Sequence, residues 1–144
     1  MLEIVTGEMP LAAKKMLWQA HGIRLRNEIG AALLRDGVCY AWAGLDPVDA
    51  EDEYFCYLVR DFGHVFYDIP RDRWSEIQDW GTFVIFDWIF NGLEAKRITT
   101  QQRENSTLVN AAVDRMRNGQ WQGKTWECKA EDMVLHPAPK PDFV

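Results

Sequence analysis

Six consecutive residues, Tyr54-Phe55-Cys56-Tyr57-Leu58-Val59, are all apolar or aromatic. Laid out as a strand, they put Tyr54, Cys56 and Leu58 on one face and Phe55, Tyr57 and Val59 on the other. A sheet with one wet face alternates apolar with polar side chains. A strand that is apolar on both sides belongs inside its sheet, with the second face covered by a helix, a second subunit or a partner.

The neighbouring sequence supplies companions for it. Val38, Tyr40 and Trp42 alternate with Cys39, Ala41 and Ala43, large on one face and small on the other. Residues 64–69 read as a third strand, joined to the second by Asp61-Phe62-Gly63 as a tight turn. The resulting expectation is an α+β fold, built on an antiparallel meander of three to four strands over residues 38–69. Helices from the N-terminal and C-terminal parts pack against it. Residues 2–5 suit a short strand. From Leu11 to Leu34 helix formers dominate, but Gly22 and Gly30 each cost about 1 kcal/mol in a helix interior. This predicts two helices, or one broken near His21-Gly22. Residues 71–80 read as an amphipathic helix with Trp74 and Ile77 inward, and residues 82–90 lean to helix. Ser106 is a good N-cap for a stripe of Leu108, Val109, Ala112, Val113 and Met116. A last strand falls at residues 124–130. Residues 1–136 form one domain in this reading, and residues 137–144 an extended tail containing prolines.

Charge is unevenly spread. The formal net charge is -6. Residues 1–36 carry five bases against four acids, and residues 71–144 ten against eleven. Residues 37–70 hold seven acids, one base (Arg60) and all four tyrosines. A sequence pI near 5.0 and the lack of any Lys/Arg cluster argue against direct nucleic-acid binding. The longest apolar run, residues 83–90, is too short to span a bilayer and contains Asp87. Cys39, Cys56 and Cys128 have no CxxC spacing, and no apolar leader follows Met1. Reduced thiols in the cytoplasm are expected.

The acidic, ring-rich segment points to a small domain that inhibits or neutralises a basic-surfaced protein by steric occlusion, in the manner of immunity proteins or phage anti-defence proteins. Asp46, Asp49, Glu51, Asp52 and Glu53 would steer it, and Tyr40, Trp42, Tyr54 and Tyr57 would anchor it. No GxGxxG, Walker, HExxH or GxSxG motif is present, so no enzyme and no cofactor are expected. The acidic loop lacks the glycine of a calcium-binding loop, so no metal is expected either. Two other readings stand beside this one. The first is an enzyme with an unfamiliar site at Cys56, His64 and Asp68. Its weakness is that His64 and Asp68, four apart on a strand, would lie roughly 13 Å apart at about 3.3 Å per residue. The second is a self-associating adaptor, a homodimer packed through the doubly apolar strand. Trp121 and Trp126 suit core or partner packing, because no basic groove accompanies them.

Overall fold

The doubly apolar strand does lie inside a sheet, but the sheet is larger and mixed. A computed structural model gives the fold and describes residues 1–21, 29–101, 120–122 and 125–144. Among the described residues seven strands, β1 (Leu2–Glu8), β2 (Ile29–Arg35), β3 (Val38–Pro47), β4 (Glu53–Arg60), β5 (Arg97–Gln101), β6 (Gln120–Gln122) and β7 (Thr125–Lys129), stand in the order β1-β2-β3-β4-β5-β7-β6. All neighbours are antiparallel except β4 and β5. Parallel neighbours need a crossover. It is made by α2 (Phe62–Val65), α3 (Trp74–Asp87) and a π-helical turn over Trp88–Gly92. α1 (Leu11–His21) covers one face, burying Ala13, Met16 and Leu17 against Ala32, Leu34, Cys39 and Trp42. On the other face Ile77, Ile85 and Phe86 pack with Leu33, Tyr40, Leu45, Cys56, Ile98 and Trp126. The chain's end joins this side, where Phe143 and Val144 pack on the core and Arg73 sits 3.8 Å above the Phe143 ring.

The expected antiparallel meander over residues 38–69 is therefore corrected. β3 and β4 form, but residues 64–69 are not a strand. Asp61 caps a single helical turn, which places Phe62 and Phe66 four apart on one side of it. Their rings lie 5.4 and 4.7 Å from that of Tyr40. The turn is then tied down by Arg35. Its guanidinium donates to the Val65 carbonyl at 2.8 Å and to both Asp68 oxygens, at 2.5 and 2.8 Å. The second N-terminal helix is also corrected. Ala31-Ala32-Leu33-Leu34 forms β2, buried between β1 and β3, because tertiary context overrides the helix propensity of Ala and Leu. Residues 74–87 are helical throughout, and the strand expected near residues 124–130 is β7. The helix expected after Ser106 lies outside the described residues.

One irregularity shapes the core. The β2–β3 register shifts between Leu33 and Leu34, leaving Tyr40 as an extra residue. Tyr40 and Trp42 thus pack in different clusters on opposite faces, not together as the alternation implied. The Trp42 ring lies over the paired glycines Gly30 and Gly44. A Cβ at Gly30 would overlap the Ala43 carbonyl and come within 2.7 Å of the ring, and one at Gly44 would come within 2.8 Å of the indole nitrogen.

Among the described residues no helix is long and apolar enough to cross a membrane. Two stability outcomes are expected. Gly30→Ala should cost about 1–3 kcal/mol by overpacking, read as a lower urea midpoint. Gly63→Ala, whose Cβ would meet nothing within 4 Å, should stay within about 0.5 kcal/mol of wild type. Equal midpoints for the two variants would refute the seating of Trp42. The second outcome concerns acid. The Arg35 hydrogen bond holds the Asp68 carboxyl below its ordinary value of 3.8. A depressed carboxylate contributes stability above its unfolded value and loses it as pH falls through the folded one. Asp68→Asn should therefore be less stable than wild type at neutral pH, with the gap closing as pH drops below 3.8. A gap unchanged in strong acid would show that the ion pair contributes nothing through its charge.

Candidate functional site

β4 and β5 run together for only three residue pairs, Glu53 with Arg97, Tyr54 with Ile98 and Phe55 with Thr99. β4 continues to Arg60, so its pairing with β5 ends at Phe55, before the strand does. Where the strands part, the buried Thr100 hydroxyl donates to the Cys56 carbonyl at 2.8 Å. Backbone groups alternate sides along a strand. Leu58 and Arg60 therefore turn their N–H and C=O groups the same way as Cys56, into the gap. At its closed end Arg97 ties three strands, reaching Glu53 on β4 at 3.3 Å and Glu127 on β7 at 2.9 Å. The Glu127 hydrogen bond is the main cause that raises Arg97, and Arg97 in turn holds the Glu127 carboxyl below its ordinary value. The gap opens at the carboxyl end of β4, the place where open α/β sheets receive ligands.

The residue after Arg60 begins a second feature. The Asp61 carboxylate accepts the His64 backbone N–H at 3.4 Å and meets the His64 ring Nδ1 at 2.7 Å. Asp61 is largely covered and His64 is 85% exposed. With Nδ1 held by a carboxylate, a neutral imidazole presents its lone pair at Nε2. Both side chains line a cleft of about 660 Å³ between α1, the β2–β3 turn and α2, with Lys15, Met16 and Val38 among its walls.

The structure redistributes the residues singled out from sequence. Cys56, His64 and Asp68 do not form a site. Cys56 is buried, and burial pushes its thiol up to about 12, which leaves no thiolate to act as a nucleophile. Asp68 is committed to Arg35, and His64 pairs with Asp61 instead. The acidic, ring-bearing face does not exist as expected. Tyr40 and Trp42 are 0% and 1% exposed and can anchor nothing from outside. Tyr54 and Tyr57 are half-buried. Asp46 accepts from the Tyr57 hydroxyl at 3.4 Å, Asp52 lies 3.9 Å from Lys96, and Glu53 is on Arg97. Asp49 and Glu51 are exposed. Asp61 was missed, although Asp followed three residues later by His at the end of a strand is a readable N-cap signal. Trp126 is core. Among the described residues no group of three His, Cys, Asp or Glu side chains could hold a metal ion.

No family model matches the sequence, and neither does any curated protein. Solved structures do resemble it. The ribosomal-protein-S18-alanine N-acetyltransferase from Escherichia coli is 11% identical, with a TM-score of 0.54 over 93% of this chain and 96% of its own. A GNAT-family acetyltransferase from Bacillus anthracis is 12% identical over 72% of this chain and 66% of its own, at a TM-score of 0.44. N-acetylglutamate synthase from Neisseria gonorrhoeae, complexed with coenzyme A and N-acetyl-glutamate, is 13% identical over 95% of this chain and 36% of its own, at 0.47. The last two likenesses are too loose to argue from. The first, with the burial of Tyr40 and Trp42, overturns the reading of the chain as an acidic inhibitor of the immunity or anti-defence type, and with it the expectation of no enzyme. The chain has the fold of an N-acetyltransferase.

Proposed function

We propose that the protein transfers an acyl group to an amine, with the gap between β4 and β5 as donor site and His64 as general base. The observation that carries this reading is the parting of the two parallel strands. Beyond Phe55 the β4 edge no longer pairs with β5, in a fold shared with an N-acetyltransferase. An amide-bearing donor can add to such an edge as an extra strand would.

Coenzyme A, a common carrier of acyl groups, sets a test of fit. Its diphosphate needs backbone N–H groups or cations. Where β4 ends, the Asp61 carboxylate already occupies the α2 N-terminus. Gly63 leaves open space instead of a close cradle. Beside α3, Arg71 lies on the Trp74 ring at 5.5 Å, and Arg73 is held by Phe143 and by Glu76 at 3.0 Å. The described residues do not fit the diphosphate. The chemistry proposed here requires only an activated acyl group and an amide-bearing arm.

In that chemistry His64 Nε2 takes a proton from the acceptor amine, and Asp61 steadies the imidazolium. The amine nitrogen bonds to the acyl carbonyl carbon. A β4 backbone N–H turned into the gap stabilises the charge that develops on oxygen. The bond to the leaving group then breaks, and the leaving atom departs with the proton held by His64. The free, buried Cys39, Cys56 and Cys128 suit a reducing compartment such as the cytoplasm.

The test is release of free thiol from S-acetylpantetheine in the presence of a peptide with a free α-amine. Wild type should release thiol only when the amine is present. His64→Ala should lose about 10²–10⁴-fold in rate with an unchanged circular dichroism spectrum, and Asp61→Asn should lose less. Amine-dependent release that is indifferent to His64 would remove the assigned base. No release at all would remove the reading.

A further inference from the structure

Resting on the acyl-transfer reading, we infer that the acceptor is an amine on an apolar body that ends in an anionic group, and that it lies in the cleft between α1, the β2–β3 turn and α2. One wall is a single stripe of α1. Leu11, Lys15 and Gln19 follow one another at intervals of four and so share a helix face. The buried Met16 and Cys39 also line the cleft. Each wall is fixed from behind. α1 packs on Ala32, Leu34 and Trp42. The Asp36 N–H, in the β2–β3 turn, donates to the Met1 carbonyl at 3.0 Å, and Arg35 holds the Val65 carbonyl of α2. A volume of about 660 Å³ between rigid walls suits a preformed site for a small molecule.

The chemistry of the walls selects the occupant. Leu11 and Val38 are 66% and 56% exposed, and both line the cleft. Two large apolar side chains left in water on separate walls are stabilised when an apolar body displaces that water. The charges are arranged across the cleft. Asp61, with its carboxylate on His64 Nδ1, belongs to the α2 wall, and Lys15 belongs to the α1 wall. An amine arrives as an ammonium, which the carboxylate attracts, while an anion elsewhere on the ligand is attracted by Lys15. Gln19, one turn further along α1, offers an amide to the same anion. Because the two charges stand on facing walls, amine and anion must occupy opposite ends of the ligand, with the apolar body between them. The ammonium gives one proton to water on binding and a second to His64 during transfer, and His64 passes the latter to the leaving atom.

Three acceptors of similar length test this: ε-aminocaproate, hexylamine and hexamethylenediamine, which differ at the far end. Each is compared by kcat/KM in thiol release from S-acetylpantetheine at low salt. Wild type should prefer aminocaproate to the diamine by about tenfold, and Lys15→Glu should reverse that order. Hexylamine should exceed ethylamine by about tenfold, and Val38→Ser and Leu11→Ser should each shrink that margin. These readouts are ratios within one protein, so a loss of folded material does not alter them. Aminocaproate no better than the diamine, or a preference that Lys15→Glu leaves unchanged, would overturn the inference and leave amine-dependent transfer standing. A hexylamine margin that neither serine variant alters would do the same. No release with any of these amines would overturn the inference, and release with the peptide α-amine then decides whether the acyl-transfer reading falls with it.

Discussion

The parallel seam between β4 and β5 is the weakest join in the sheet, and the rest of the account depends on its giving way. β4 is paired with β3 over seven residues, and β5 with β7 over five. Both of those pairings are antiparallel, which is somewhat more stable per residue than parallel pairing. Each strand keeps its antiparallel neighbour for most of its length, and the pairing stops short at the seam. Arg97 holds the seam shut at one end, while the Thr100 hydroxyl, bonded to the Cys56 carbonyl, marks the point where it opens. Beyond that point β4 no longer pairs with β5.

The acids of residues 37–70 are not one free negative face. Asp52, Glu53 and Asp68 meet Lys96, Arg97 and Arg35, bases that come from outside the segment. Those pairs tie the acidic stretch to β2 and β5 and so contribute to structure. Asp61 differs because its partner is a histidine, and its charge stays beside the end of β4. The same carboxylate caps a helix and orients an imidazole.

Much of this fold was legible in the residues, and the part that was not has physical causes. The interior position of β4 could be read from six consecutive apolar residues, and it has strands on both sides. Residues 29–35 read as helix because Ala and Leu dominate them. A short apolar run has no periodicity that separates a buried strand from a buried helix. Residues 64–69 misled for a different reason: Phe62 and Phe66 lie four apart in sequence, and helical spacing of two rings is easily hidden among polar neighbours. The reading of Tyr40 and Trp42 as surface anchors failed on a bulge, which moved one ring to each face and buried both. The candidate site was half visible. His64 was picked out, but paired with Asp68 on the assumption of a strand. Helical geometry gives it to Asp61 instead. The seam's opening could not be foreseen, since it follows from which strands pair and for how long.

Amide hydrogen exchange at Leu58 bears most directly on the central idea that the end of β4 is used for binding. In the free protein this amide should exchange faster than those of Tyr57 and Val59, which face β3. Saturating S-acetylpantetheine should slow Leu58 selectively. Protection of Leu58 in the free protein, or a ligand that slows exchange elsewhere and leaves it unchanged, would contradict it.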